Sequence, residues 1–192
     1  MKKLVLLILA LSWLSGGVGF AQTTLGPDQH WVEQIGGALA IPSSGDASKT
    51  YQVGFGGDLG ISYRITSNLS EGIVVGYYQF NLKAAPSGSD FSYVPLMEVT
   101  KIILGGEDLR PYVFFGFGAA FNTLKLSALS TTQTDLLMAP GAGVNWRAFP
   151  NAALFFQGRL DVNFISKNIS SNGSTNPAVF MPLEAGLIFY ML

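Results

Sequence analysis

The 192-residue chain predicts an all-β fold, an eight-stranded antiparallel up-and-down transmembrane β-barrel preceded by a cleavable signal peptide. Three observations predict it. Segment after segment alternates with a period of two between apolar side chains and glycine, amide or charged ones. Charged residues make up only 12% of the chain, against roughly a quarter in soluble domains, and the mean hydropathy is +0.35. Yet beyond the N-terminal segment no apolar run approaches the roughly 18 to 20 residues that a spanning helix needs. The connections between segments also alternate long and short. A chain that is apolar overall but alternating locally suits a closed sheet in lipid, where every backbone group pairs with the next strand.

Met1 to Ala21 reads as the signal: Lys2 and Lys3, the apolar run Leu4 to Leu14, then Gly19-Phe20-Ala21 with small residues before a cleavage point at Gln22. Residues 22–30 form a short periplasmic N-terminal lead, and residues 31–192 the barrel. In the first strand Ile35, Gly37, Leu39 and Ile41 oppose Gln34, Gly36, Ala38 and Ala40, and 42–50 is a loop by composition. In the second, Val53, Phe55, Leu59, Ile61, Tyr63 and Ile65 oppose glycines, Asp58, Ser62 and Arg64. After a brief turn, the third strand sets Val74, Gly76, Tyr78 and Phe80 toward lipid. The fourth, about 92–104, sets Met97 and Val99 toward lipid and Glu98 and Thr100 inward, with Lys101 on the lipid side reaching for headgroups. The fifth alternates Val113, Phe115, Phe117, Ala119 and Phe121 with Phe114, Gly116, Gly118, Ala120 and Asn122, and a polar loop follows near Ser127 to Thr134.

The sixth and seventh strands meet around Pro150-Asn151-Ala152. Ala142, Val144, Trp146 and Ala148 share the lipid face with Leu154, Phe156, Gly158, Leu160, Val162 and Phe164. The inward face carries Gly141, Gly143, Asn145 and Arg147, then Phe155, Gln157, Arg159, Asp161 and Asn163. A connection pairing Phe149 with Ala153 places Asn145 opposite Gln157, Gly143 opposite Arg159 and Gly141 opposite Asp161. Residues 167–177 form the last long loop and 179–192 the eighth strand. Pro95, Pro140 and Pro182 each forfeit a ladder bond and predict bulges near the outer rim.

Connections after odd strands are long and those after even strands short, the habit of bacterial outer-membrane barrels, with tight periplasmic turns and longer outer loops. Tyr63, Trp146 and Phe189 then form a periplasmic aromatic girdle, and Phe80, Tyr93 and Phe164 an outer one. The lumen is expected to hold Asp58, Arg64, Glu98, Arg147, Arg159, Asp161 and Glu184 as an ion-pair network that fills it, since eight strands enclose little more than side chains. With a net charge of −1 and no basic cluster, nucleic acid is excluded as a partner. The chain has no cysteine and a single histidine, His30, ahead of the first strand. A serine has no base in reach, so no catalysis, metal or cofactor is expected. Two other readings stay open: a narrow channel for ions or small solutes, and a soluble lipocalin-like barrel with the apolar face inward.

The chain resembles the OmpA/OmpX-like eight-stranded outer-membrane β-barrel family along its mature length. Arg110-Pro111-Tyr112-Val113, Gly141-Ala142-Gly143-Val144 and the final strand carry the likeness. There Glu184, Gly186, Phe189 and Met191 are similar to the C-terminal assembly signal of such proteins, although Leu192 stands where an aromatic residue is usual. The resemblance implies residence in the bacterial outer membrane among its lipids and lipopolysaccharide. It also implies handling by the barrel-assembly machinery during insertion, a structural or cell-surface contact role, and an extracellular partner at the outer loops.

Overall fold

The structure, a computed structural model, describes residues 31–83, 86, 88–106, 108–127, 129–149, 151–164 and 177–191. The signal peptide and lead, and most of the last long loop, lie outside them. Nine strands occur in chain order: β1 (Trp31–Pro42), β2 (Gly54–Arg64), β3 (Leu69–Asn81), β4 (Asp90–Ile103), β5 (Leu109–Leu126), β6 (Leu129–Phe149), β7 (Ala152–Arg159), β8 (Asp161–Asn163) and β9 (Ala178–Met191). Each pairs antiparallel with its neighbour, and β1 pairs with β9 from Trp31↔Met191 to Pro42↔Phe180, which closes the sheet. The segments β7 and β8 are one barrel stave interrupted at Leu160, so the ring has eight.

The interruption has a cause in sequence. Leu160 N–H still donates to the Pro140 carbonyl at 2.9 Å, but Pro140 has no N–H to return. Pairing resumes with the same offset, Gly141↔Arg159 on one side and Met138↔Val162 on the other. The same holds at Pro95, between Val75↔Leu96 and Tyr78↔Tyr93, and at Pro182, between Gly158↔Leu183 and Asp161↔Phe180. The bulges expected at the three prolines are therefore absent. Each proline deletes one donor without changing the register on either side, so no extra residue is inserted. The register shift instead falls between Trp146 and Phe149 in the β6–β7 pair. It moves that hairpin off its expected pairing: Phe149 faces Ala152, Gly143 faces Gln157, and Gly141 faces Arg159. The change from the expected register is two residues, so every side chain keeps its face.

The short turns are built locally. Thr66 Oγ1 accepts from the N–H of Asn68 and Leu69 at 3.3 and 3.1 Å. Gly105 and Gly106 take φ of 109° and 94° in the β4–β5 turn, where a side chain would be strained. At the other end the β1–β2 loop folds into a one-turn helix, α1 (Gly45–Thr50), N-capped by Ser44. The polar stretch Ser130–Thr134, expected as loop, is strand: β5 and β6 pair up to Leu126↔Leu129, and the connection is a tight reversal at Ser127 with φ 50°. Thr-rich, β-branched sequence sustains the extended hairpin.

Outward on the wall stand Ile35, Leu39, Phe55, Leu59, Ile61, Ile73, Val75, Phe115 and Phe156, all exposed. The inward positions Asp58, Arg159, Asp161 and Glu184 are at most 3% exposed. This orientation is opposite to that of a soluble lipocalin-like barrel and places a hydrocarbon-compatible belt outside. Two strands have the reverse of their expected facing. In β3, Tyr78 and Phe80 point inward and Ile73, Val75 and Tyr77 outward. In β4, Phe91, Tyr93, Met97 and Val99 point inward and Glu98 outward.

Candidate functional site

The lumen is layered. In the long-loop half, the rings of Tyr51, Phe80, Phe91, Tyr93 and Phe180 pack against one another, with centroids 4.7 Å apart for Phe80–Phe180 and 4.8 Å for Tyr51–Phe91. Ala47 of α1 is buried in the same cluster, and Lys83 ties the end of β3 to the helix by donating to the Ser48 carbonyl at 2.6 Å. Phe80 and Tyr93, expected in the outer girdle, are thus core residues with no exposed surface. Their aromatic character suits a dry stopper as well as an interface.

Below the rings lies a polar layer centred on Arg159. Its guanidinium pairs with Asp58, with Asp161 at 2.7 Å and with Glu184 at 3.6 Å. Tyr78 receives a bond from Arg159 at 2.8 Å and donates to Asp58 at 2.8 Å. Tyr93 donates to Asp161 at 2.7 Å. A side branch runs from the Tyr112 hydroxyl to Gln157 at 2.9 Å and from the Gln157 amide to Glu184 at 2.6 Å. A buried arginine among carboxylates is tolerable because four of its five fixed donors bond oxygens of Asp58, Asp161 and Tyr78 and the Glu184 carboxylate stands close by. The β7 and β9 register delivers Gln157 opposite Glu184, and two glycines flank Asp58, Gly36 on β1 and Gly76 on β3. A Cβ at Gly76 would meet the Asp58 carboxylate directly and Pro95 at 3.1 Å. Gly76→Ala is expected to lower stability by about 1–3 kcal/mol through overpacking, read as a lower urea midpoint of the folded barrel. An unchanged midpoint would show that Asp58 has room to swing aside.

The network gathers four of the seven expected lumen charges: Asp58, Arg159, Asp161 and Glu184. Arg64 stands apart toward the short-turn end, its guanidinium 5.3 Å from the Tyr190 ring centroid. Arg147 is exposed within the register shift, its N–H bonded to the Asp108 carbonyl at 2.8 Å. Glu98 faces outward and is no part of the lumen. The cation that replaces them in the interior is Lys101, expected outside. It donates to Gln34 at 3.3 Å and lies 4.4 Å from the Tyr112 ring centroid. A cavity of about 30 Å³ adjoins it, lined in part by Gln34, Ser70, Val99, Phe114 and Arg159, room for roughly two waters. Nearer the long-loop end Asn122 and Asn163 exchange amide bonds across the lumen, at 2.7 and 3.3 Å.

Of the expected girdle, Tyr63, Trp146, Phe189 and Phe164 lie outward and are between 41% and 53% exposed. Trp31 joins Tyr63 edge to face, centroids 5.2 Å apart. In β9, Glu184 and Gly186 face inward, and Phe189 and Met191 outward. Hydropathy does not mark Tyr78, Tyr93 and Tyr112 as network members, because tyrosine serves lipid interfaces equally well; the parity imposed by short turns does.

No family model matches the chain, and no curated protein sequence matches it. Solved structures do. The crystal structure of Neisserial surface protein A (NspA) matches with a TM-score of 0.64 and 22% identity, over 83% of this chain and 96% of its own. OprG of Pseudomonas aeruginosa gives 0.57 and 14%, over 85% and 96%. The N-terminal β-barrel domain of Pseudomonas aeruginosa OprF gives 0.51 and 18%, over 84% and 99%. Identities this low carry the fold, which agrees with the wall described above in strand number, pairing and exposed apolar belt: the chain has the fold of the eight-stranded bacterial outer-membrane β-barrels.

Proposed function

We propose that the chain is an integral outer-membrane barrel with a closed, non-conducting lumen and no catalytic activity, acting as a structural or surface-contact protein. In this reading the short turns face the periplasm, and α1 and the long β5–β6 hairpin face outward, where an extracellular partner would meet them. Lipids and lipopolysaccharide surround the belt, with Tyr63, Trp146 and Phe189 at the periplasmic interface and Phe164 at the outer one. The barrel-assembly machinery reads Glu184, Gly186, Phe189 and Met191 during insertion.

The observation that carries the closed lumen is the stacking of two seals on one axis, the five-ring stopper over the Arg159 layer. An ion would have to part the rings and then displace a satisfied guanidinium. Purified protein in a planar bilayer is expected to show no steady unitary conductance, whereas Phe80→Ala combined with Phe180→Ala should introduce frequent openings. Steady conductance of the unmodified barrel, unaltered by that pair of substitutions, would instead support the channel reading.

A further inference from the structure

Lys101 is held in the interior by less than its charge demands. Its ammonium carries three N–H donors. One reaches the Gln34 side-chain oxygen at 3.3 Å, and the group lies 4.4 Å from the Tyr112 ring centroid. Among the described residues no carboxylate stands within ion-pair distance of it, and the salt bridges of the lumen all belong to Arg159. Asp58 and Asp161 are committed to that guanidinium; Glu184 lies 3.6 Å from it and accepts from the Gln157 amide at 2.6 Å. A buried charge is costly unless it is both paired and hydrogen-bonded.

The cavity beside Lys101 exists because the inward wall of β2 and β3 is made of small residues there. Ser62 pairs with Gly72, and Gly60 is the next inward position of β2. Ser70 pairs directly with Lys101 across the β3–β4 ladder, so hydroxyl and ammonium open onto the same space. Ser70 is only 5% exposed, and neither its hydroxyl nor that of Ser62 has a hydrogen-bond partner among the described residues. The polar lining is of one sign. Lys101 and Arg159 supply cations, Ser62, Ser70, Gln34 and Gln157 supply neutral groups, and among the described residues no carboxylate lines the space. Its volume of about 30 Å³ suits a spherical ion little larger than water.

We infer that this cavity binds a halide-sized monovalent anion such as chloride, held by the Lys101 ammonium and the Ser62 and Ser70 hydroxyls, as a fixed constituent of the lumen. Water would satisfy the hydroxyls but would leave the ammonium without a counter-charge, and a cation would meet only further positive charge. The site is a resting place and no path, since the Arg159 layer and the five rings stand between it and the long-loop end. The inference goes beyond the closed lumen proposed above: a conductance measurement bears on the seals, whereas anion binding bears on Lys101 alone.

The test is crystallographic, with bromide as the probe. Barrel refolded and crystallised in sodium bromide is expected to show an anomalous peak within hydrogen-bond reach of Lys101 Nζ and the Ser70 hydroxyl. Lys101→Met should lose the peak. Ser62→Val combined with Ser70→Val, which fills the space and leaves the charge in place, should lose it too. In solution, urea midpoints are compared in bromide and in gluconate, an anion too large to enter, at matched ionic strength. Replacing gluconate by bromide should favour the wild type more than it favours Lys101→Met, which serves as the reference for general salt effects. A heat-dependent gel shift reports separately that each variant is folded. No peak in the wild type, a peak that survives in either variant, or equal salt responses of wild type and Lys101→Met would overturn the inference.

Discussion

Arg159→Met is expected to be the most damaging single change in the lumen, lowering stability by about 3–5 kcal/mol, the range for leaving buried charges without their partner. Three carboxylates converge on this guanidinium, and Asp58 and Asp161 have no exposed side-chain surface through which water could substitute. Methionine fills similar volume, so the loss would reflect charge rather than a void. Urea titration of the refolded barrel, followed by gel mobility, measures it. The decisive comparison is the quadruple substitution Arg159→Met, Asp58→Asn, Asp161→Asn, Glu184→Gln, which neutralises all three carboxylates with the cation. It should recover much of the lost stability, because neutral amides can still bond Tyr78 and Tyr93, and removing both members of a buried pair costs far less than removing one. A single variant as stable as the wild type would mean that the layer is hydrated and contributes little.

Phe115→Arg should give the second large effect, on the other side of the wall. Phe115 is 48% exposed on the outward face of β5, about midway between its short-turn end and the level of the aromatic stopper. Arginine at the bilayer midplane of such barrels costs roughly 2–4 kcal/mol and much less near the interfaces. The folded fraction in lipid vesicles should drop accordingly, while Thr132→Arg in the projecting part of β6, exposed and above the belt, should insert like the wild type. Equal insertion of both would place the hydrocarbon elsewhere on the wall.

These two residues also show how far the sequence could be read. Arg159 and Phe115 belong to strands with a clear contrast between faces: β7–β8 has Gln157, Arg159, Asp161 and Asn163 against Leu154, Phe156 and Leu160, and β5 has glycines against phenylalanines. Hydropathy alone orients such strands. It misleads in β3 and β4, where the aromatic stopper demands an apolar inward set, so Tyr78, Phe80, Phe91 and Tyr93 resemble lipid-facing residues, and Glu98 and Lys101 resemble their opposites. Pairing across short turns carries the missing information. Arg64 is inward and pairs with Ser70, which forces Gly72, Val74, Gly76, Tyr78 and Phe80 inward. Tyr112 and Phe114 are inward and pair with Ile103 and Lys101, which turns Lys101 in and Glu98 out. The helical turn α1 was hidden by its polar composition, which suits a loop until Ala47 finds an aromatic surface to cover.

The seam between β1 and β9 joins the two ends of the barrel sequence, so the ring can be completed only after every intervening strand is in place. Its long-loop end carries an extra clasp past the final ladder pair: the backbone N–H groups of Ser43 and Ser44 both donate to the Val179 carbonyl, at 2.7 and 3.2 Å, and Val179 N–H returns a bond to the Ser44 hydroxyl at 3.3 Å. Contacts so distant in sequence form late, and once formed they act like the stop at the top of a zipper. A finished barrel under tension should therefore come apart from the Trp31–Met191 end upward, with the clasp among the last places to let go.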